Sequence, residues 1–386
     1  MSGQVTIRKV ENQQDFKTFF EFPWKHYKDD PNWVPPLLSM RQELLDKEKN
    51  PAWDYMEGDY FLALRGEEAV GTIAAFINHR HNEFHGEAIG WFGAFETRDD
   101  PEVAAALLQM AEDWVRDQGY TIIRGPQTFT THEEVGLLID GFEQPFLLMP
   151  YHHRYYRGII ENAGYAASSD TGSYYYDWSM VAENKLMDRL EKIAQWTAKR
   201  HNVEVRPVDS KNLRKEFELF KELYNTAWVA NWGFVPMTER ELDSLIEGMG
   251  MIFDPDLACF ATYAGKPIGF TMLVPDFNQA LKYARPRPGV PEPWTLLQIL
   301  WHWKLRPKIN RVRVPLMGVI EEYRKKGLDV VMYDYCIRQL RKKGMQTLDC
   351  GWILDTNEDM IGVLKGLGMK RHRSYRLYEK ALDPKA

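Results

Sequence analysis

The segment best suited to chemistry lies late in the chain, where residue types and order predict an anion site. A predicted buried strand, residues 312–320, runs into the turn Glu321–Asp329 and then into a predicted helix, Val330–Arg341. Unpaired N–H groups at a helix start attract negative charge, and Gly327 lets a phosphate approach the backbone closely. The turn adds three positive charges: Arg324, Lys325 and Lys326. We therefore predict a phosphate-binding helix start, with a solvated basic face as the alternative.

The elements that must position this turn occur twice, which indicates an internal repeat. Gly93 and Gly318 are 225 residues apart, and so are Gly119 and Gly344. Each copy shows predicted strands, a helix, a strand, a second helix and a final strand. The sequence thus predicts an α/β (α+β) fold with two tandem modules. The predicted modules are residues 1–180 and 203–386, joined by a helix over residues 181–202.

Two motifs of the second copy resemble the GNAT acyltransferase superfamily. Its acyl-CoA signature is a strand followed by Arg/Gln-x-x-Gly-x-Gly/Ala at a helix start, and Arg324–Asp329 is similar except that Asp329 takes the last small position. Residues 355–369 and the strand after them resemble its second motif, with Asn357 at the Asn position. Longer signatures resemble a bacterial branch related to bacterial ceramide synthases; they lie at residues 23–37, 136–142 and 231–236.

The resemblance implies two GNAT-like modules, each a mixed, mostly antiparallel sheet flanked by helices. It implies transfer of an acyl group, acetyl or longer, from acyl-CoA to a primary amine, small or lipid-like, without a metal. Backbone amides near the end of the strand would steady the thioester carbonyl. The residues implied for donor binding are Val319, Ile320, Arg324, Lys325, Lys326, Gly327, Leu328, Asp329 and Asn357.

A carboxylate at position 329 that faces a pyrophosphate is unfavourable unless it points away or caps the helix. Two further departures from the superfamily pattern also affect these expectations. Leu364 stands where many such enzymes have a tyrosine that protonates the departing thiolate. In the first copy, the acidic turn Glu96–Glu102 replaces the basic glycine turn and would repel a pyrophosphate. The first module is therefore predicted to start a helix there, with Asp99 or Asp100 as its cap, and to bind no nucleotide.

Proton-transfer residues are predicted in both copies. In the first copy the loop Gly125–Gly136 follows a strand end, and its candidate bases are His132, Glu133 and Glu134. The alternative for this loop is a surface segment with a solvated acidic tip. In the second copy Glu321 is a rival base, or else a first-turn acid favoured by the helix dipole. Tyr375 is the candidate replacement for the missing acid, although strand tyrosines often only pack.

An insertion at residues 280–313 has an unusual charge. It contains eight basic residues and one acid, Glu292, in a chain whose net charge is −6. Its centre, residues 294–304, is apolar nearly all round. Such a helix usually packs between modules, but it would also suit an acyl-chain guide or an anionic bilayer.

Composition excludes several other classes of protein. A net charge of −6 gives no general positive field for nucleic acid. The three cysteines lack the spacing of a disulfide framework or zinc site, and His79–His85 lacks that of a metal site, so we expect no metal. We see no signal peptide or membrane-spanning run and expect a cytoplasmic protein. A catalytically inactive GNAT-like scaffold and a peripheral membrane protein remain the alternative functions.

Overall fold

The computed structural model describes residues 3–178, 185–229, 232–249, 253–324 and 326–383. The chain divides into two compact units. Unit 1 contains the chain up to Gly172, the segment Leu281–Trp301 and the chain from Arg373 onward, and unit 2 contains Ser173–Ala280 and His302–His372. Compactness alone does not delimit a module of the repeat, so the predicted module boundaries stay a prediction.

The first half of the described chain alternates strands and helices. Its elements are β1 (Val5–Lys9), α1 (Gln13–His26), α2 (Leu38–Leu45), β2 (Met56–Arg65), β3 (Glu68–Asn78), α3 (His79–His85), β4 (Gly90–Thr97), α4 (Pro101–Asp117), β5 (Ile122–Gly125), β6 (Leu137–Asp140), α5 (Tyr156–Asn162) and β7 (Ala166–Asp177).

The second half begins with a connecting helix and then follows the same general order, with an added helical segment and with no counterpart of β6 among its described elements. Its elements are α6 (Lys185–His201), β8 (Val203–Pro207), α7 (Leu213–Ala227), α8 (Glu239–Met249), β9 (Ala258–Tyr263), β10 (Lys266–Pro275), α9 (Asn278–Ala284), α10 (Glu292–Leu300), β11 (Arg311–Val319), α11 (Asp329–Lys342), β12 (Thr347–Leu354), α12 (Glu358–Gly366) and β13 (Lys370–Ala381). The predicted mixed α/β fold is confirmed.

The sheet of unit 1 is antiparallel from β1 to β4, and β4 then pairs with β5 in parallel. The later part of β13 pairs with β5 and β6 in antiparallel fashion. Helix α4 buries its apolar face against this sheet through side chains three or four residues apart, including Val103, Leu107 and Ala111. This core fixes the end of β4, where Glu96 lies.

The sheet of unit 2 has the same plan: β8 to β11 are antiparallel, and β11 pairs with β12 in parallel. The parallel register ends at Val314 opposite Cys350, whereas β11 continues to Val319 and β12 to Leu354. Pro315 follows directly and has no N–H to donate to a neighbouring strand. The two strands therefore separate, and the backbone of β11 beyond Pro315 is left without pairing on its β12 side.

Candidate functional site

The predicted anion site of unit 2 is an open helix start. Gly327 has a φ of +69°, and a Cβ atom added there would meet nothing within 4 Å. Leu328 occupies the cap position of α11 and makes no side-chain capping bond. The N–H groups of Val330 and Val331 make only long contacts, 3.4 and 3.3 Å, to carbonyls within the turn. Space and N–H groups are both present for an incoming anion.

The basic residues of this turn differ in their contacts. The Arg324 guanidinium donates through Nε to the Val319 carbonyl at 2.9 Å and through Nη2 to the Ala227 carbonyl. This side chain therefore supports the end of β11. Lys326 is exposed, with Nζ 5.1 Å from the centre of the Tyr323 ring, and Lys325 lies outside the described residues. Whether Arg324 also contacts a ligand stays a prediction.

Asp329 was the residue expected to disturb an anion here. Burial raises the pKa of the Tyr333 hydroxyl, and the charge of Asp329 and a hydrogen bond between the two side chains raise it further. That contact joins residues one turn apart on α11, so the carboxylate lies along the side of the helix. The predicted obstruction by Asp329 is reduced by this orientation.

The strand end beside the turn presents one amide to the gap between β11 and β12. Val319 is paired with Gly269, and the N–H of Ile320 donates to the Ile268 carbonyl at 2.9 Å. Successive residues of a strand direct their N–H groups to opposite sides. Because the N–H of Ile320 points to β10, the N–H of Val319 points away from β10. The N–H of Val319 therefore faces the gap between β11 and β12, and its donation to a thioester carbonyl stays a prediction. The N–H of Ile320 already donates to a backbone carbonyl.

The other candidates of unit 2 are Asn357 and Glu321, and Leu364 takes the place of the usual tyrosine. Asn357 caps α12, its side chain accepting from the N–H of Met360 at 3.2 Å. Glu321 is exposed in a short 3₁₀ turn after β11. Leu364 is buried in a core with Tyr174 and Met369, so the position of the usual tyrosine is occupied by packing. A ligand role for Asn357 and a catalytic role for Glu321 stay predictions.

In unit 1 the carboxylate of Glu96, whose side chain is 17% exposed, accepts hydrogen bonds from two tyrosines near the end of β4. The Oε2 atom of Glu96 accepts from Tyr27 at 2.7 Å and from Tyr156 at 2.6 Å. The Nε2 atom of His26 lies 3.0 Å from the Tyr156 hydroxyl and 3.9 Å from Glu96 Oε2. We call these four residues, His26, Tyr27, Glu96 and Tyr156, the Glu96 cluster.

The Glu96 cluster is suited to accepting a proton near neutral pH. Burial raises the pKa of Glu96 to about 7, although the hydrogen bonds from Tyr156 and Tyr27 act in the opposite direction. Burial lowers the pKa of His26 to about 3, and the nearby His153 lowers it further, so its imidazole is neutral. A carboxylate with this pKa is matched to general-base chemistry at physiological pH.

The sequence prediction missed three of these four residues and misread the fourth. It placed Glu96 in an acidic turn, but β4 continues through Thr97 and carries Glu96 into the buried network. The repeat contained a usable signal, because Glu96 and Glu321 are separated by the same 225 residues as the aligned glycines. The predicted cap after this strand is confirmed, since Asp100 accepts from the N–H groups of Glu102 and Val103.

The structure separates the three candidate bases of the loop after β5. Glu133 accepts from the N–H of Thr130 at 2.9 Å and from its hydroxyl at 3.1 Å, so it closes the loop. The side chain of His132 is exposed. Glu134 is accessible to solvent, yet burial raises the pKa of its carboxyl and it interacts electrostatically with Arg41 and Glu96. A catalytic role for His132, Glu133 or Glu134 stays a prediction.

The remaining candidate, Tyr375, lies in unit 1. It is buried on β13 opposite Leu138 of β6. Its neighbour Tyr378 donates to Glu161 at 3.1 Å. A role for Tyr375 in proton transfer to a thiolate stays a prediction, and Tyr378 has a structural contact.

A serine, a histidine and an aspartate also meet in unit 2, but not as a catalytic relay. Ser173 Oγ donates to Asp349 Oδ1, and His372 Nε2 lies 2.6 Å from that same oxygen and 3.1 Å from Ser173 Oγ. A relay needs one imidazole nitrogen for the serine and the other for the carboxylate. Here one nitrogen faces both groups, so the three side chains form a buried structural network. Burial and Asp349 also raise the pKa of Cys350, which is no activated thiol.

The apolar insertion does not pack as the sequence predicted. Trp294, Leu297, Leu300 and Trp301 are 57%, 59%, 47% and 46% exposed. The expectation that this helix is buried between modules is wrong for these side chains. Across the described ranges, no helix is long and apolar enough to cross a membrane, and no group of three or more His, Cys, Asp or Glu residues there is placed to hold a metal.

Two relatives match nearly the whole chain, whereas no family model matches it. Protein YghO of Escherichia coli is 33% identical over 391 residues, covering 99% of this chain and 97% of its own. Bacterial ceramide synthase of Caulobacter vibrioides is 30% identical over 390 residues, covering 99% of this chain and 98% of its own. The chain belongs to the family of these two proteins. The bacterial branch inferred from the sequence signatures is thereby confirmed.

Solved structures show the fold of this family member. A tandem GNAT protein from the clavulanic acid biosynthesis pathway aligns with 99% of this chain and all of its own, with a TM-score of 0.56 at 11% identity. A GCN5-related glucosamine N-acetyltransferase region of a fungal multi-domain β-N-acetylglucosaminidase aligns with 98% of this chain and 38% of its own, with a TM-score of 0.57 at 13% identity. The family member therefore has a tandem GNAT fold, as predicted.

Proposed function

We propose that this protein is an N-acyltransferase that moves an acyl group, acetyl or longer, from acyl-CoA to a primary amine. The observation that carries the proposal is the open helix start at Gly327 beside the separated strands β11 and β12. It offers N–H groups for a diphosphate and the Val319 amide for a thioester carbonyl. The tandem GNAT fold and the name of one relative, a ceramide synthase, support amide formation on a lipid-like amine.

In this proposal the Glu96 cluster removes a proton from the acceptor. The ammonium loses one proton to the Glu96 carboxylate, and the free amine attacks the thioester carbonyl. A C–N bond forms, the C–S bond breaks, and the thiolate leaves with the bonding electrons. The nitrogen loses its second proton and the thiolate gains one, so that a neutral amide and a thiol result, and Glu96 then releases its proton to solvent. Tyr375 stays the predicted proton donor to the thiolate. No covalent intermediate with the protein is required.

The direct experiment is a thiol-release screen. Acetyl-CoA and longer acyl-CoA molecules are supplied with small and long-chain primary amines, and thiol and amide are quantified together. We expect stoichiometric thiol and amide with at least one pair. Thiol without amide would indicate hydrolysis, and no thiol with any pair would contradict the proposal.

A second candidate is a GNAT-like binding protein without catalysis. The observation in its favour is Leu364, which places apolar packing where the usual acid stands. Calorimetry separates the two functions: acyl-CoA binding without thiol release supports the binding protein, and binding with release supports the enzyme.

A further inference from the structure

The segment Leu281–Trp301 of unit 1 carries a group of large apolar side chains that are about half exposed. On α10 the exposed apolar side chains are three or four residues apart, which places them on one side of the helix. Isolated exposed apolar residues are ordinary, but a contiguous group that includes two tryptophans marks an interaction surface. The residues of this group, called the α10 surface below, are Trp294, Leu297, Leu300 and Trp301.

The inner side of the same segment is fixed to unit 1. The indole Nε1 of Trp24 donates to the Pro286 carbonyl at 2.7 Å. Glu292 Oε2 accepts from the backbone N–H of Ser39 at 2.8 Å, and Thr295 is buried. These contacts fix the segment to unit 1 through residues other than those of the α10 surface.

The exposed charged side chains of the segment Leu281–Trp301 are positive. Arg285 and Arg287 are exposed in the same segment of unit 1, and the only acid of the insertion, Glu292, already accepts from a backbone N–H. Two other basic residues of the insertion are engaged within the fold: Arg311 with Asp276 and Arg313 with the Gly351 carbonyl.

We propose that the α10 surface docks on an anionic lipid bilayer. Tryptophan and leucine side chains enter the boundary between headgroups and acyl chains, while the flanking arginines contact anionic headgroups. A second copy of this chain is a poorer occupant, because a symmetric contact would bring like-charged arginines together. The docking does not depend on the proposed reaction.

The experiment is vesicle co-sedimentation of the full chain without acyl-CoA. Vesicles contain phosphatidylcholine alone or with phosphatidylglycerol, at low and high salt. We expect binding that requires phosphatidylglycerol and weakens as salt rises. Trp294→Ala combined with Leu297→Ala is expected to lower partitioning at least tenfold, and Arg287→Ala about fivefold.

Trp196→Ala is the matched control. Trp196 is 56% exposed on α6 in unit 2, outside the insertion. Its replacement is expected to leave vesicle binding unchanged, and circular dichroism checks that every variant is folded. Absence of binding to phosphatidylglycerol vesicles at low salt would overturn the proposal, and so would an equal loss in the Trp196 variant.

Light scattering tests the rival occupant. If the double variant converts a dimer to a monomer, the α10 surface is an interface between copies and the lipid proposal is wrong. An unchanged mass supports it. Thiol release with a water-soluble amine is measured in parallel and is expected to be unchanged in the double variant, so that failure of docking is distinguished from failure of the reaction.

Discussion

The starts of α4 and α11 occupy corresponding places in the repeat but differ in what fills them. At α4, Asp100 caps the first N–H groups, and Arg65 holds Asp100 and Glu102 at 2.8 and 2.6 Å. At α11 no side chain caps the helix, and Gly327 leaves open space before it. One helix start is closed by its own carboxylates, and the other is available to an external anion.

The aligned carboxylates show the reverse difference. Glu96 is held by two tyrosine hydroxyls within unit 1, whereas Glu321, at the same place in the repeat, is exposed in unit 2. Burial raises the pKa of Glu96, whereas the side chain of Glu321 is exposed to solvent. In the proposed function the first copy therefore serves proton transfer and the second serves anion binding.

The largest expected effect comes from Glu96→Gln. The amide oxygen can still accept from Tyr27 and Tyr156, so the fold is retained while the base is lost. We expect kcat for thiol release to fall about 10³-fold, within the usual range for a general base. Glu321→Gln is the matched control and should change kcat less than threefold. Similar losses of kcat in both variants would contradict the proposal that only the first copy supplies the base.

The second-largest effect is expected in the pH dependence of kcat/KM for the unmodified protein. A carboxyl with a pKa of about 7 is ionised only above that value. We therefore expect kcat/KM to fall tenfold for each pH unit below 7, so that activity at pH 5 is about a hundredfold lower. Measurement from pH 5 to 9 with a neutral acyl donor analogue checks that donor charge is not responsible. A flat profile through this range would exclude Glu96 as the base.

Gly327→Asp tests the open helix start. The new carboxylate would occupy the space of the anion, and we expect the Kd for acyl-CoA by calorimetry to rise at least tenfold. Gly344→Asp is the control, because Gly344 has nearly the same φ, +68°, and equally open surroundings. If both variants bind acyl-CoA as tightly as the wild type, the anion site is elsewhere.

The smallest effect is expected for Asp100→Ala. Loss of the cap on α4 should lower the free energy of unfolding by about 1 kcal/mol. Binding of acyl-CoA should not change, since α4 starts no anion site in this account. Chemical denaturation and calorimetry measure the two quantities, and tighter acyl-CoA binding by the variant would show that Asp100 had been excluding an anion from α4.

The strand, turn and helix of the anion site could be predicted because their signals are local. The expected strand 312–320 and helix 330–341 agree with β11 and α11 to within one residue at each end. The Glu96 cluster could not be found in this way, since Tyr27 and Tyr156 lie 69 and 60 residues from Glu96 in the chain. The apolar helix α10 misled the prediction, because an all-round apolar pattern is usually buried.

Hydrogen exchange with and without acyl-CoA tests the central difference most directly. Peptides covering the start of α11, residues 326–331, are expected to be protected by acyl-CoA, while those covering the start of α4, residues 100–104, are unchanged. Protection at α4, or none at α11 under saturating acyl-CoA, would contradict the assignment of donor binding to the second copy.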